Sequence, residues 1–192
     1  MYRALIISLL VLIYGCAAQD GKYIQVIKPQ GVPMCSAPTE FPGYHSWRVE
    51  APNVAVVKLF PFHANDMMYK VIGPNAERRM LLAQAEIKNI SFEHMVINRT
   101  MITIQGEGGM TITSIPPSKI LTLARGTQTT ADNVFEQLGD GIIDTECSKS
   151  IEIDTGETDS MMVAFPLPLP PNPKFVISIE NSRVETPICW SD

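Results

Sequence analysis

Short runs of β-branched and aromatic residues recur along the chain, and in several of them apolar and polar side chains alternate with the period of two expected of a half-buried strand. The predicted strands are "KYIQVIK", "HSWRVE", "NVAVVKLFPF", "MMYKVIG", "FEHMVIN", "TMITIQG", "MTITSI", "KILTLA", "SIEID", "MMVAF" and "KFVISIE". In "TMITIQG" the alternation aims Ile102 and Ile104 inward, and Thr103 and Gln105 toward water or a neighbouring strand. "QGEGG" separates this run from "MTITSI", and Gly106, Gly108 and Gly109 permit positive φ, which predicts a hairpin over residues 100–114. The same glycines are not a phosphate cradle, because no Gly-Lys-Ser/Thr and helix follow them.

Two stretches carry helix signals instead. "GPNAERRMLLAQAEIKN" offers Asn75 as N-cap, Glu77 near the positive helix end, and Met80, Leu81, Leu82, Ala85 and Ile87 for burial; a strand from Arg79 to Glu86 fits the same residues. "TTADNVFEQLGDG" offers Thr129 as cap, Asp132 three residues later, Val134 and Leu138 on one face, and Gly139 as the stop. Helices this few cannot cover both faces of a parallel sheet. The expected fold is therefore mainly β: an antiparallel β-sandwich-like single domain with one or two short helices. Near its end "FPLPLPPNPKF" places five prolines between two strands, and proline's missing N–H predicts a rigid polyproline connector outside the ladder, along which Phe165, Leu167 and Leu169 pack on the body.

The first residues change the picture of where this domain works. Arg3, an apolar run from Ala4 to Ile13, and small residues at Gly15, Cys16, Ala17 and Ala18 have the three parts of an export signal. The run is short of the roughly 20 apolar residues that cross a bilayer, so no stable membrane span is expected. Cleavage after Ala18 divides the chain into a signal peptide, 1–18, and a β-rich extracellular domain, 19–192. "IYGC" also resembles a bacterial lipoprotein box, and that resemblance implies a second localisation, with Cys16 lipid-anchored on a bacterial membrane as the first mature residue.

With Arg3 removed the mature chain carries 14 basic and 20 acidic residues, and only Arg78–Arg79 are adjacent cations. Nucleic-acid binding, which requires phosphates to be neutralised, is disfavoured. Cys35, Cys147 and Cys189 then remain, too widely spaced for a short metal-binding pair but suited to a long-range disulfide in an oxidising compartment. Pairing Cys147 with Cys189, which both lie beside predicted strands, ties the tail to the body; Cys35 fits either partner equally well. The cysteine left over is a buried thiol or the link of a homodimer.

Candidate chemistry is sparse. Asp154-Thr155-Gly156 resembles the Asp-Thr-Gly of aspartic proteases, which implies a carboxylate pair built by two symmetric copies; Glu157 departs from that pattern, and the alternative is a polar turn. Asp140, Asp144 and Glu146 cluster without the ligand alternation of a helix-loop-helix calcium site. His45, His63 and His94 lack metal-ligand spacing, so no metal and no cofactor is assigned. "NIS" at Asn89 and "NRT" at Asn98 are glycan acceptor patterns on a eukaryotic secretory route. Tyr44, His45 and Trp47 form a candidate contact patch for a sugar or peptide. These features together favour a secreted, non-catalytic protein acting by surface recognition or extracellular assembly, with an extracellular protein or carbohydrate as partner. The alternative is a secreted hydrolase or small-ligand carrier, for which a close nucleophile-His-carboxylate set or an apolar cavity, respectively, is the discriminating feature.

Overall fold

In the computed structural model, which describes residues 30–36, 43–46, 48–62, 66–73, 75–125, 137, 140–147, 150–179 and 181–191, two four-stranded antiparallel sheets face each other across an apolar layer. One has the order β2 (Val49–Ala51), β3 (Ala55–Pro61), β4 (Met80–Asn89), β9 (Thr158–Pro166); the other has β11 (Ser182–Pro187), β10 (Lys174–Ile179), β6 (Ile102–Gln105), β7 (Thr111–Thr113). Two short antiparallel pairs accompany them, β1 (Gly43–His45) with β12 (Cys189–Ser191) and β5 (Met95–Ile97) with β8 (Ile151–Ile153). This is the antiparallel sandwich the strand pattern predicts.

Period-two alternation decides what enters the layer. Leu81, Ala83, Ala85 and Ile87 of β4 and Met161, Val163 and Phe165 of β9 point into it, against Ile102 and Ile104 of β6 and Phe175 and Ile177 of β10. Phe165 and Phe175 join the two sheets with ring centroids 5.7 Å apart. Burying each such large side chain stabilises the fold by roughly 1.5–3 kcal/mol.

A helical layer lies on the outer face of the first sheet. It comprises α1 (Met67–Ile72), α2 (Ala76–Arg79), α3 (Pro117–Arg125) and a π-type turn, Ile143–Cys147. Tyr69, Ile72, Ala76, Ile120, Ala124, Ile143 and Cys147 pack there on Met80, Leu82, Met162 and Ala164. Three expectations change here. The stretch after Asn75 has a single helical turn and then becomes β4, so the helix reading gives way to the alternative strand over Arg79 to Glu86; Met80–Leu82 is apolar on both faces because one meets the sandwich and the other the helices. "KILTLA" is α3 rather than a strand, with Pro117 as its first residue and Ile120 and Ala124 one turn apart on its buried face. "MMYKVIG" is α1, capped by Asp66, whose carboxylate accepts the Met68 N–H at 2.9 Å. The expected helix after Thr129 lies mostly outside the described residues, as do "KYIQVIK" and the export segment.

Two polar side chains fasten this layer. The Tyr69 hydroxyl accepts the Leu82 N–H at 3.0 Å, and burial pushes its phenol well above the ordinary range. Arg125 donates through Nε to the Ile72 carbonyl at 2.9 Å, and its Nη1 meets Asp140 at 2.6 Å. Asp140 is thus held by a cation, and among the described residues no group of three His, Cys, Asp or Glu side chains is placed to hold a metal ion.

The predicted hairpin is present: β6 pairs with β7 through Ile104 and Ile112. Gly108 and Gly109 supply the positive φ, at 75° and 80°, whereas Gly106 is extended and is needed for closeness. The proline connector crosses it, with Glu107 N–H donating to the Pro171 carbonyl at 2.9 Å, and a Cβ on Gly106 would lie 2.6 Å from Pro170 Cγ. Leu169 is buried and Leu167 packs on the core, as expected of the connector. Gly106→Ala is expected to cost about 2 kcal/mol in urea unfolding, since a proline ring cannot swing aside. Gly141→Ala, where nothing lies within 4 Å, serves as the comparison and should stay within about 0.5 kcal/mol.

The disulfide joins Cys35 to Cys189, not Cys147 to Cys189. Backbone pairing sets the choice: residues 33–35 run beside β12, with Cys35 N–H donating to the Trp190 carbonyl and Trp190 N–H to the Pro33 carbonyl, both at 2.8 Å. Cys147 is instead buried in the outer helical layer, on the far side of the first sheet from the sandwich layer that holds Trp190.

Candidate functional site

Among the described residues the helical layer covers one end of the outer face of the β2-β3-β4-β9 sheet. At that end both faces of β4 are apolar; beyond it the outward positions become Gln84, Glu86 and Lys88, while the inward Ala85, Ile87 and Asn89 stay buried. Antiparallel register aligns the outward positions of three strands into rows. Phe60, Gln84 and Met162 form one, Lys58, Glu86 and Ser160 the next, and Val56, Lys88 and Thr158 the third.

Where the helices stop, a cleft of ≈ 360 Å³ opens, lined by Phe62, Met68, Ile142, Met161 and Met162 with Gln84 and Ser160 at its polar side. Gln84 Nε2 donates to Ser160 Oγ at 3.3 Å. Phe60, 48% exposed, stands in the same row as Gln84. Further along the same strands a second recess of ≈ 190 Å³ is lined by Arg48, Val56, Lys58, Glu86, Lys88 and Thr158. Lys58 meets Glu86 at 2.6 Å and Arg48 meets Glu50 at 2.8 Å. The face therefore offers an apolar hollow, an amide and hydroxyl, and then a cationic hollow in sequence.

The outer face of the other sheet is different. Lys174 and Arg183 both reach Glu185, at 3.2 and 2.9 Å, and hold its carboxyl below the usual carboxylate range, Lys174 first. Arg183 also donates to Gln105 at 2.5 Å, so these charges satisfy one another across three strands.

The residues singled out in the sequence are dispersed. Of the contact patch expected at Tyr44, His45 and Trp47, Tyr44 is buried in the core with its ring edge-on to Trp190 at 5.1 Å, His45 is half-buried, and Trp47 lies outside the described residues. Burial pushes the Tyr44 phenol well above its ordinary range. His63 is likewise outside the described residues. His94 Nδ1 lies 2.9 Å from Asp154 Oδ1, and its Nε2 3.9 Å from Glu152, on the exposed side of the β5–β8 pair. Both of these partners are carboxylates. Asp154, Thr155 and Gly156 form the polar turn between β8 and β9, with Gly156 at φ 83° and the Glu157 N–H donating to the Asp154 carbonyl.

At the first sequon the Asn89 side chain is fully buried, and Nδ2 donates to the carbonyls of Glu93 and Ile153 at 2.8 and 2.9 Å. Asn98 is half-buried at the start of a 3-10 turn, its Oδ1 accepting the N–H and hydroxyl of Thr100.

No protein-family model matches this chain, and no curated protein does. Among solved structures it is similar to the yjhA protein from Bacillus subtilis, at a TM-score of 0.41 and 7% identity over 68% of this chain and 76% of that one. It is also similar to a functionally unknown protein from Listeria monocytogenes EGD-e, at a TM-score of 0.36 and 8% identity over 83% of this chain and 88% of that one. Among the described residues no helix is long and apolar enough to cross a membrane.

Phe60, Phe62, Gln84, Lys88 and Ser160 carry no motif, and sequence reasoning missed them as a site. The signal is the switch within β4 from a continuous apolar run to alternation, which marks where a second covering layer ends.

Proposed function

We propose that the mature chain is an exported, non-catalytic domain that acts by surface recognition, with the open outer face as its recognition surface and a small molecule as its ligand. The observation that carries this reading is the juxtaposition of the apolar cleft and the cationic recess along one pair of strands. Pockets built of apolar walls and a few convergent polar groups are the usual form of small-ligand sites. Recognition is favoured over hydrolysis because the His94–Asp154 and His94–Glu152 contacts are solvated and lie on the β5–β8 pair, lining neither recess.

Export is supported by the leader at 1–18, and the Cys35–Cys189 bridge is in keeping with an oxidising compartment. On a eukaryotic route Asn98 is the acceptor of choice, since its Thr100 partner is in place and Asn89 is sequestered.

Native mass spectrometry of the protein purified from the fluid into which it is exported tests the reading. The expected species begins at Gln19 and carries a non-covalent small-molecule adduct that Gln84→Trp, by filling the cleft mouth, removes. A chain that retains residues 1–18, or that carries no adduct before and after Gln84→Trp, contradicts it.

A further inference from the structure

This inference rests on the outer face being the recognition surface, and it names what that surface takes. We propose that the face binds an amphiphilic anion, with its apolar body in the cleft walled by Phe62, Met68, Ile142 and Met162 and its charged head over Lys88.

The length follows from strand geometry. Gln84 and Lys88 are four residues apart on β4, and at a rise of about 3.3 Å per residue their outward side chains stand about 13 Å apart. Met162 and Thr158 span the same interval on β9, each directly opposite its β4 partner. A linear ligand of that reach runs from the cleft to the cationic recess along these two strands, passing Gln84, Ser160 and Glu86 on the way.

The sign follows from the pairing of charges. Lys58 is engaged by Glu86, and Arg48 by Glu50. Lys88 is exposed and meets no carboxylate within ion-pair distance among the described residues, while its cross-strand neighbour is the hydroxyl of Thr158. The chain as a whole carries a net charge of −5, so a cation without a carboxylate partner on the same face as an apolar cleft runs against the bulk of the molecule. A carboxylate or sulfate head set there gains a charge-assisted hydrogen bond from Lys88 and a second donor from Thr158. A quaternary ammonium head gains neither.

The test compares dodecanoate, dodecanol and dodecyltrimethylammonium, each below its aggregation threshold, by titration calorimetry with the intact mature protein. Dodecanoate is expected to bind most tightly. Lys88→Glu, a change on an exposed strand position, should weaken it about fivefold and favour the ammonium probe, with the melting temperature unchanged. Added salt should weaken dodecanoate binding and leave dodecanol untouched. Equal binding of the three probes, unaltered by Lys88→Glu, overturns the anionic head while leaving the cleft as an apolar ligand site. A native adduct without dodecanoate binding overturns this inference alone, and absence of both adduct and probe binding overturns the recognition reading with it.

Discussion

Replacing Cys35 and Cys189 together by serine is expected to remove about 5 kcal/mol of stability, because the bridge closes a loop across a sequence separation of 154 residues and restricts the unfolded chain accordingly. That is a large part of the 5–15 kcal/mol that holds a typical domain together. The effect reaches the core through β12. Trp190 is buried, pairs with Tyr44 of β1 on one side and bonds to residues 33 and 35 on the other, so loosening this strand uncovers one edge of the sandwich. Urea unfolding of the double variant measures the loss. Cys147→Ser, by contrast, should leave the bridge in place, and a non-reducing peptide map should still link the Cys35 and Cys189 peptides. A map linking Cys147 to Cys189 in the native protein would contradict the assignment.

Asn89→Leu is the second large effect, at about 4 kcal/mol. Asn89 is fully buried, donates to the carbonyls of Glu93 and Ile153, and accepts the N–H and hydroxyl of Ser91 at 2.9 and 2.7 Å. Its backbone is engaged as well, with N–H donating to Glu157 and its carbonyl accepting from Gly156. One residue thus pins the turn after β4 to the turn between β8 and β9. Leucine leaves these partners without their bonds, and each buried group so stranded costs roughly 1–3 kcal/mol, with those nearest the surface recovering part of it from water. Asn89→Asp tests the donor half separately: it keeps the acceptor for Ser91 but turns a carboxylate oxygen toward two carbonyls, and a loss comparable to that of leucine is expected by thermal unfolding. A loss below about 1 kcal/mol for both variants would show that the side chain is not the fastener described.

What the sequence made legible follows from what a local pattern encodes. "TMITIQG" packs one face on a single apolar layer, so its alternation is clean and the inward Ile102 and Ile104 follow directly. Met80–Leu82 lies between two layers, and a run apolar on both faces looks the same whether strand or helix carries it. "KILTLA" misleads for the opposite reason: its β-branched Ile120 and Thr122 read as a strand, whereas Pro117 at the first helical position and the packing of Ile120 and Ala124 on Met80 and Leu82 make it a helix. Cysteine pairing depends on which distant segments become neighbours, and nothing near Cys35 in sequence announces that residues 33–35 will lie beside β12. The pair of recesses on the outer face is of the same kind. Gln84, Lys88, Thr158 and Ser160 are ordinary polar strand residues until the register sets them side by side.

Backbone amide shift mapping by ¹H–¹⁵N NMR, with dodecanoate added to the uniformly labelled mature protein, tests the recognition surface most directly. The account predicts that the largest perturbations fall on Gln84, Glu86 and Lys88 of β4 and on Thr158, Ser160 and Met162 of β9, and that Gln84→Trp abolishes them. Perturbations confined to the β10–β11 face, or to the His94–Asp154 surface, would contradict it.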